Sequence, residues 1–154
     1  MIITKDDLDE DNFYKEDKLE SDEEIEFEEN LGYVKFKLSI ISKKYIYAEA
    51  GTGIEAGTGI EAGWGIKAGW GIKAGEGIEA GEGIEAGTGI EAGWGIKAGW
   101  GIKAGEGIVT FFGNIIAKFV SCLRICVGFN STEKYFIEAE IRKGEIILGE
   151  KKNG

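Results

Sequence analysis

From residue 49 to residue 108 the chain writes one hexad ten times without interruption, Glu/Lys-Ala-Gly-X-Gly-Ile, with X being Thr, Trp or Glu. A period this short, sustained this long, means that each unit buries its apolar face only by stacking on its neighbour. Helix is excluded by the glycines, which fill two of every six positions and would each cost about 1 kcal/mol relative to alanine in a helix interior. Collagen is excluded because the glycines alternate at intervals of two and four and the chain holds no proline. What remains is an all-β fold, a parallel β-helix or β-solenoid. Along Gly-Ile-Glu/Lys-Ala, isoleucine and alanine point one way and the charged residue the other. Gly-X-Gly then supplies a corner from which X projects.

The charged positions indicate the size of the coil. With three hexads per turn the columns read Glu49-Lys67-Glu85-Lys103, Glu55-Lys73-Glu91 and Glu61-Glu79-Lys97, and six of the seven vertical contacts pair opposite charges. With two hexads per turn the count is six of eight. Opposite charges on adjacent strands contribute only a few tenths of a kcal/mol each, so the preference for a triangular coil is slight and the charges act as a register device. Residues 55–78 and 85–108 are identical, which sets a thirty-residue duplication. Thirty is not a multiple of eighteen, so the copies rotate onto different faces. No tryptophan then stacks on another, since the X columns read Thr52-Trp70-Thr88-Glu106, Thr58-Glu76-Trp94 and Trp64-Glu82-Trp100. That pattern speaks against a flat ice-binding face or a strip of aligned aromatics. Trp64, Trp70, Trp94 and Trp100 are either corner residues covering apolar surface or exposed anchors for a protein partner.

Around the array the composition shifts. Residues 1–30 hold fourteen Asp or Glu against three Lys, a net of −11 in a chain of net −10. This segment reads as a partly disordered or briefly helical cap that is simply solvated, or as a mimic of nucleic-acid phosphate that enters a partner's basic groove. The partner-facing candidates in it are Asp6, Asp7, Asp9, Glu10, Asp11, Asp22, Glu23 and Glu24. Asp7, Asp9 and Asp11 begin like a calcium loop, but Asn12 stands where glycine is needed and Lys18 where a bidentate carboxylate is needed. Thr4 and Asp7 can instead cap a single helical turn.

Residues 31–129 are expected to form the solenoid, entered through an alternating strand at 33–40. Its last part, 108–129, is strongly apolar, and Phe111, Phe112, Ile115 and Phe119 are candidates for self-association. Asn114, Lys118 and Arg124 interrupt the run, so no membrane span is expected. Residues 130–154 read as a β-hairpin cap turning at Arg142-Lys143-Gly144. There is no secretory leader pattern, and a bacterial cytoplasmic location is expected. Cys122 and Cys126 lie four apart, too far for a disulfide along a strand. With no histidine in the chain, Ser-His-Asp and Cys-His catalysis lack their parts, and the repeating surface singles out no carboxylate pair. An enzyme is not expected, and neither a metal nor any other cofactor.

The hexad Ile-Glu-Ala-Gly-Thr-Gly, as at 54–59, resembles the hexapeptide pattern of left-handed β-helix acyltransferases, although Trp or Glu here replaces a small residue of that pattern. Those enzymes use a histidine base, so their activity is not carried over. The array also resembles the core of bactofilins, β-helical proteins that polymerise end to end. The opening Ile-Ile-Thr-Lys-Asp-Asp-Leu-Asp at 2–9, the tandem Ile-Lys/Glu-Ala-Gly-Trp units and the β-rich tail together resemble small repeat proteins of phages and mobile elements in Firmicutes and related bacteria, of the anti-CRISPR and anti-defence type. That resemblance implies a stoichiometric inhibitor of a bacterial defence nuclease such as a Cas protein, without direct nucleic-acid binding. A self-associating structural module, as dimer or filament, is the alternative, and an enzyme acting on a small acyl or sugar substrate is the third class.

Overall fold

A computed structural model describes residues 1–128 and 134–152. The chain winds into a parallel β-solenoid of about seven triangular coils, all of whose strands join one sheet system. In the array most hexads give one three-residue strand, such as Ile60–Ala62, Ile66–Ala68 and Ile72–Ala74, with the end residues buried and the middle one outward. Three strands make a coil, and the next coil repeats them eighteen residues later: Ile54 pairs with Ile72, Ile72 with Ile90 and Ile90 with Ile108. The three-hexad coil inferred from the charges is the one that forms. Stacked isoleucines and alanines fill the interior, and each fully buried isoleucine contributes about 1.5–3 kcal/mol relative to exposure.

The two glycines of each hexad have different reasons to be glycine. At Gly75, the first of its pair, an added Cβ would stand 2.0 Å from the carbonyl oxygen of Gly57 in the coil before. At Gly77, the second, it would meet nothing closer than 3.6 Å. The first glycine lets the corners stack; the second leaves a bare strip beside each face.

Three expectations are corrected. Glu49 does not join its column, although Thr52 and Ile54 of the same hexad join theirs. Coil two spans twenty residues to the next in register, so Tyr47, not Glu49, sits opposite Lys67. The two additional residues form a corner at which Gly51 takes φ +72°, and Thr52 turns inward, its Oγ1 accepting from Leu31 N at 3.0 Å and donating to Glu28 O at 2.6 Å.

In place of a partly disordered segment over 1–30, the acidic run is built into the solenoid, and the single helical turn expected at Thr4 and Asp7 is present. Ile2–Ile3 pairs with Ile25–Phe27, Lys5–Asp7 forms one 3-10 turn, and coil one begins at Leu19–Ser21. Leu19, Ile25 and Leu31 recur every six residues and are buried, so the apolar spacing of the array is already present and the acids occupy outward positions between them.

In place of a C-terminal hairpin, Phe136–Leu148 is a single strand that runs parallel to Ile115–Val127. Each of these long strands bends round all three faces: Ile115, Val120 and Ile125 stack on Ile96, Ile102 and Ile108, and Ile137, Ile141 and Ile146 stack on them in turn. Gly144, at φ +132°, turns a corner there and reverses nothing. Part of the expected cap, 130–133 and 153–154, and Phe129 at the expected end of the solenoid lie outside the described residues.

Candidate partner-binding surface

The acidic candidates divide by what their carboxylates already do. Thr4 donates to Asp7 Oδ2 from both its backbone N, at 2.9 Å, and its Oγ1, at 3.1 Å; the backbone bond lowers the Asp7 pKa below 3.8. Asp9 Oδ1 accepts from Asp11 N and Phe13 N at 3.0 and 2.8 Å, which holds a local turn. These contacts engage one carboxylate oxygen each of Asp7 and Asp9, two of the three acids of the calcium-like run. Asp22 pairs with Lys43 at 2.7 Å, and Glu23 pairs with Lys44. Both lysines have raised pKa values because they donate to these carboxylates. Among the described residues, Asp6, Glu10, Asp11 and Glu24 have no ion pair, nor do Glu26, Glu28 and Glu29 beside them. The lysines of coil two thus pair with Asp22 and Glu23 and leave the other acids named here without an ion pair.

The four tryptophans stand on corners and are 43 to 64 % exposed, so they do not complete the core. Their stacking follows the three-hexad columns, with Glu82 N bonded to Trp64 O and Trp100 N to Glu82 O. Trp64 packs edge-on against Tyr45, with centroids 5.2 Å apart, and Trp70 leans on Tyr33 at 5.9 Å. Lys118 Nζ lies 4.4 Å from the Trp100 ring, and Trp94 is the most exposed of the four. Trp64 and Trp100 share one corner two coils apart, whereas Trp70 and Trp94 lie on the other two, so no single face gathers all four.

One groove was not legible in the sequence. With the faces of Leu19, Ile25 and Val34 numbered first, second and third, Tyr45, Gly65, Gly83, Gly101 and Phe119 form a column up the second face, linked through backbone bonds such as Ile46 N to Gly65 O and Ile66 N to Gly83 O. Tyr45 folds over Gly65, where an added Cβ would be 2.8 Å from its Cε1, and Phe119 folds back over Gly101. Between the two rings Gly83 is bare. The resulting hollow encloses about 510 Å³, bordered by Trp100 and Glu82 on the corner side and by Lys67, Glu85 and Lys103 on the other. Tyr45 OH donates to Glu82 Oε2 at 2.8 Å, which raises the tyrosine pKa. The twenty-residue coil shifts Tyr45 out of the hexad frame, which hid its alignment with the glycines.

Of the residues proposed for self-association, Phe112 is exposed, but Ile115 is in the core and Phe119 is buried. Arg142 covers the outer face of the Phe119 ring, its Cζ 3.9 Å from the centroid. Ile115 presents no surface, and Phe119, folded over Gly101 beneath Arg142, contributes only to the lining of the hollow. Cys122 is buried and Cys126 half-buried, and both are free thiols. Burial pushes the Cys122 thiol up to about 11. Among the described residues no group of acids and cysteines is arranged to hold a metal, and no helix is long and apolar enough to cross a membrane. No family model, curated protein or solved structure matches this chain.

Proposed function

We propose that this is a non-enzymatic binding protein that inhibits a bacterial defence nuclease, such as a Cas effector, by stoichiometric docking of its acidic end into a basic groove. The observation that carries this reading is the ordered acidic cap, in which Asp6, Glu10, Asp11, Glu24, Glu26, Glu28 and Glu29 lack ion pairs while being held on the cap and first coil. A rigid array of unpaired carboxylates attracts a basic groove at long range and costs little ordering entropy on docking. The body of the solenoid carries columns of mixed sign, so phosphate mimicry is confined to this end. The resemblance to repeat proteins of the anti-defence type points to the same class of partner. Co-purification from a bacterium expressing such effectors, followed by cleavage assays, tests it. A one-to-one complex with lost cleavage is expected, and replacing the unpaired acids by Asn or Gln should restore cleavage. A chain that leaves cleavage unchanged at saturating concentration would sink the reading.

A second reading, self-association, is favoured by one feature. Among the described residues only Glu150–Lys151 pairs with the outer edge of Phe136–Leu148, so most of that edge offers free backbone groups to another strand. Sedimentation velocity across a wide concentration range decides it: a persistent monomer would exclude this reading.

A further inference from the structure

The column of glycines on the second face is a row of ring-sized seats, and the chain shows how two of them are used. Tyr45 sits over Gly65 and Phe119 over Gly101, each occupying space that any side chain on the glycine would need. Tyr33 treats Gly53 in the same manner on the third face, its Cε1 lying 2.7 Å from where a Cβ would be. Gly83, between the two seated rings, has the same backbone and no ring. A Cβ there would make only an ordinary 3.5 Å contact with Gly101 O, so stacking of the coils does not require glycine at this position. The surroundings are not apolar alone. Glu24, Glu26, Glu82 and Glu85 border the hollow against Lys67 and Lys103. Lys67 is engaged by Glu85 at 3.6 Å, and Lys103 lies 5.9 Å from the Phe119 centroid, so the net charge facing the seat is negative. Glu24 and Glu26 belong to the first coil, which makes the hollow continuous with the unpaired acids of the N-terminal end.

We infer that the seat over Gly83 receives one aromatic side chain of a protein partner, presented between basic residues that meet Glu24, Glu26 and Glu82. The ring completes the row that Tyr45 and Phe119 begin, and Trp100 walls it from the corner side. Aromatic anchors entering desolvated pockets dominate protein interfaces, and charge pairs around them set orientation. This inference rests on the reading of the chain as a binder of basic protein surfaces and names the contact that would give docking its register.

The test uses the full-length chain and a small probe, independent of any nuclease. The 15N-labelled protein is titrated with the acetylated, amidated tripeptide Lys-Trp-Lys, with Lys-Ala-Lys and methyl β-glucoside as comparisons. The Gly83 amide, identified by its absence from the spectrum of Gly83→Ala, should shift saturably with Lys-Trp-Lys only. Gly83→Ala should weaken that binding about tenfold by filling the seat, whereas Gly77→Ala, the same change on the first face, should leave it unaltered. Glu82→Gln, which adds no atoms to the seat, should also weaken Lys-Trp-Lys binding. Equal binding of Lys-Ala-Lys, a shift with the glucoside in place of the peptide, no shift at Gly83, or indifference to Gly83→Ala would each overturn the inference. Peptide binding at Gly83 in a chain that fails to inhibit cleavage would uphold the seat and reject the nuclease reading.

Discussion

The ring of Phe119 occupies the space that a side chain on Gly101 would need: a Cβ there would lie 2.2 Å from Cζ and 2.5 Å from Cε1 of that ring. Gly101 therefore belongs to a different class from Gly77 or Gly83, although all three hold the same place in the hexad. Its glycine is required by a side chain arriving from the next coil, and that of Gly75 by a carbonyl of the preceding coil. Gly77 is required by neither. A repeat that is uniform as a sequence is thus not uniform as a set of constraints.

The contrast gives a direct stability prediction. Gly75→Ala drives a Cβ to 2.0 Å from a backbone oxygen, and relieving that clash moves one coil against the next, which should cost about 2 kcal/mol or more. Gly77→Ala meets ordinary contact only and lies outside the positive-φ glycines. It should be neutral or stabilise by about 0.4–1 kcal/mol through the unfolded chain. Urea denaturation of the two variants checks this, and equal loss in both would refute the division of the glycines.

Deletions should respect the coil. Removing 79–96 excises one turn of eighteen residues and joins Ile78 to Lys97, the residue that follows its register partner Ile96. The shortened protein should still unfold cooperatively, since each coil contacts chiefly its neighbours. Removing 79–108 takes five hexads and delivers the long strand Ile115–Val127 one face out of place, so Ile115, Val120 and Ile125 no longer stack on their own faces. Thermal unfolding followed by circular dichroism should show a broad, early transition for the second deletion alone.

The parts of the fold that were legible in the sequence are those governed by strict periodicity. Ile and Ala inward, Glu and Lys outward, three hexads per coil and the tryptophan columns all follow from spacing. Legibility failed where the period changed. Two additional residues near Gly51 moved Tyr47 opposite Lys67, and no repeat pattern announces such an insertion. Charge concealed the first coil, because the acids between Leu19, Ile25 and Leu31 drew attention from their six-residue spacing. At the other end Arg142-Lys143-Gly144 has the composition of a hairpin turn, yet the isoleucines at 137, 141 and 146 continue the same three interior columns, and that continuity outweighs local turn preference. Among the candidate residues, the exposure of the tryptophans follows from their place between two glycines at a corner, whereas the seat at Gly83 depends on rings arriving from other coils and has no local signature.

The two cysteines should differ in reactivity. Burial holds the Cys122 thiol near a pKa of about 11, so it carries almost no thiolate at neutral pH and is shielded as well. Cys126 is half-buried and should be modified first by an aromatic disulfide reagent. Because the folded pKa of Cys122 is raised, its contribution to stability is complete below the ordinary thiol value of 9.0 and fades as pH rises towards 11. Cys122→Ser should flatten that alkaline loss. One fast and one protected thiol are expected in the native protein, and two equally fast thiols would contradict the packing.

At acid pH the opposite sign applies, and Asp7 is the group to watch. Its carboxylate accepts from Thr4 N and Thr4 Oγ1, so its folded pKa lies below 3.8. A depressed carboxylate contributes stability above its unfolded value and loses it as pH falls through the folded one. The 3-10 turn at Lys5–Asp7 should therefore stay closed through mildly acidic pH and open only below about 3.8. The Thr4 amide resonance should titrate with the Asp7 carboxyl and share its midpoint. Asp7→Asn should abolish that titration and speed exchange of the Thr4 amide at neutral pH, because a neutral amide oxygen accepts these bonds more weakly than a carboxylate. The core beneath, from Leu19 onward, should not respond, since none of its buried side chains carries a carboxyl group. A Thr4 amide indifferent to pH across this range would show that the cap is held by Ile2–Ile3 pairing with Ile25–Phe27 and owes nothing to Asp7.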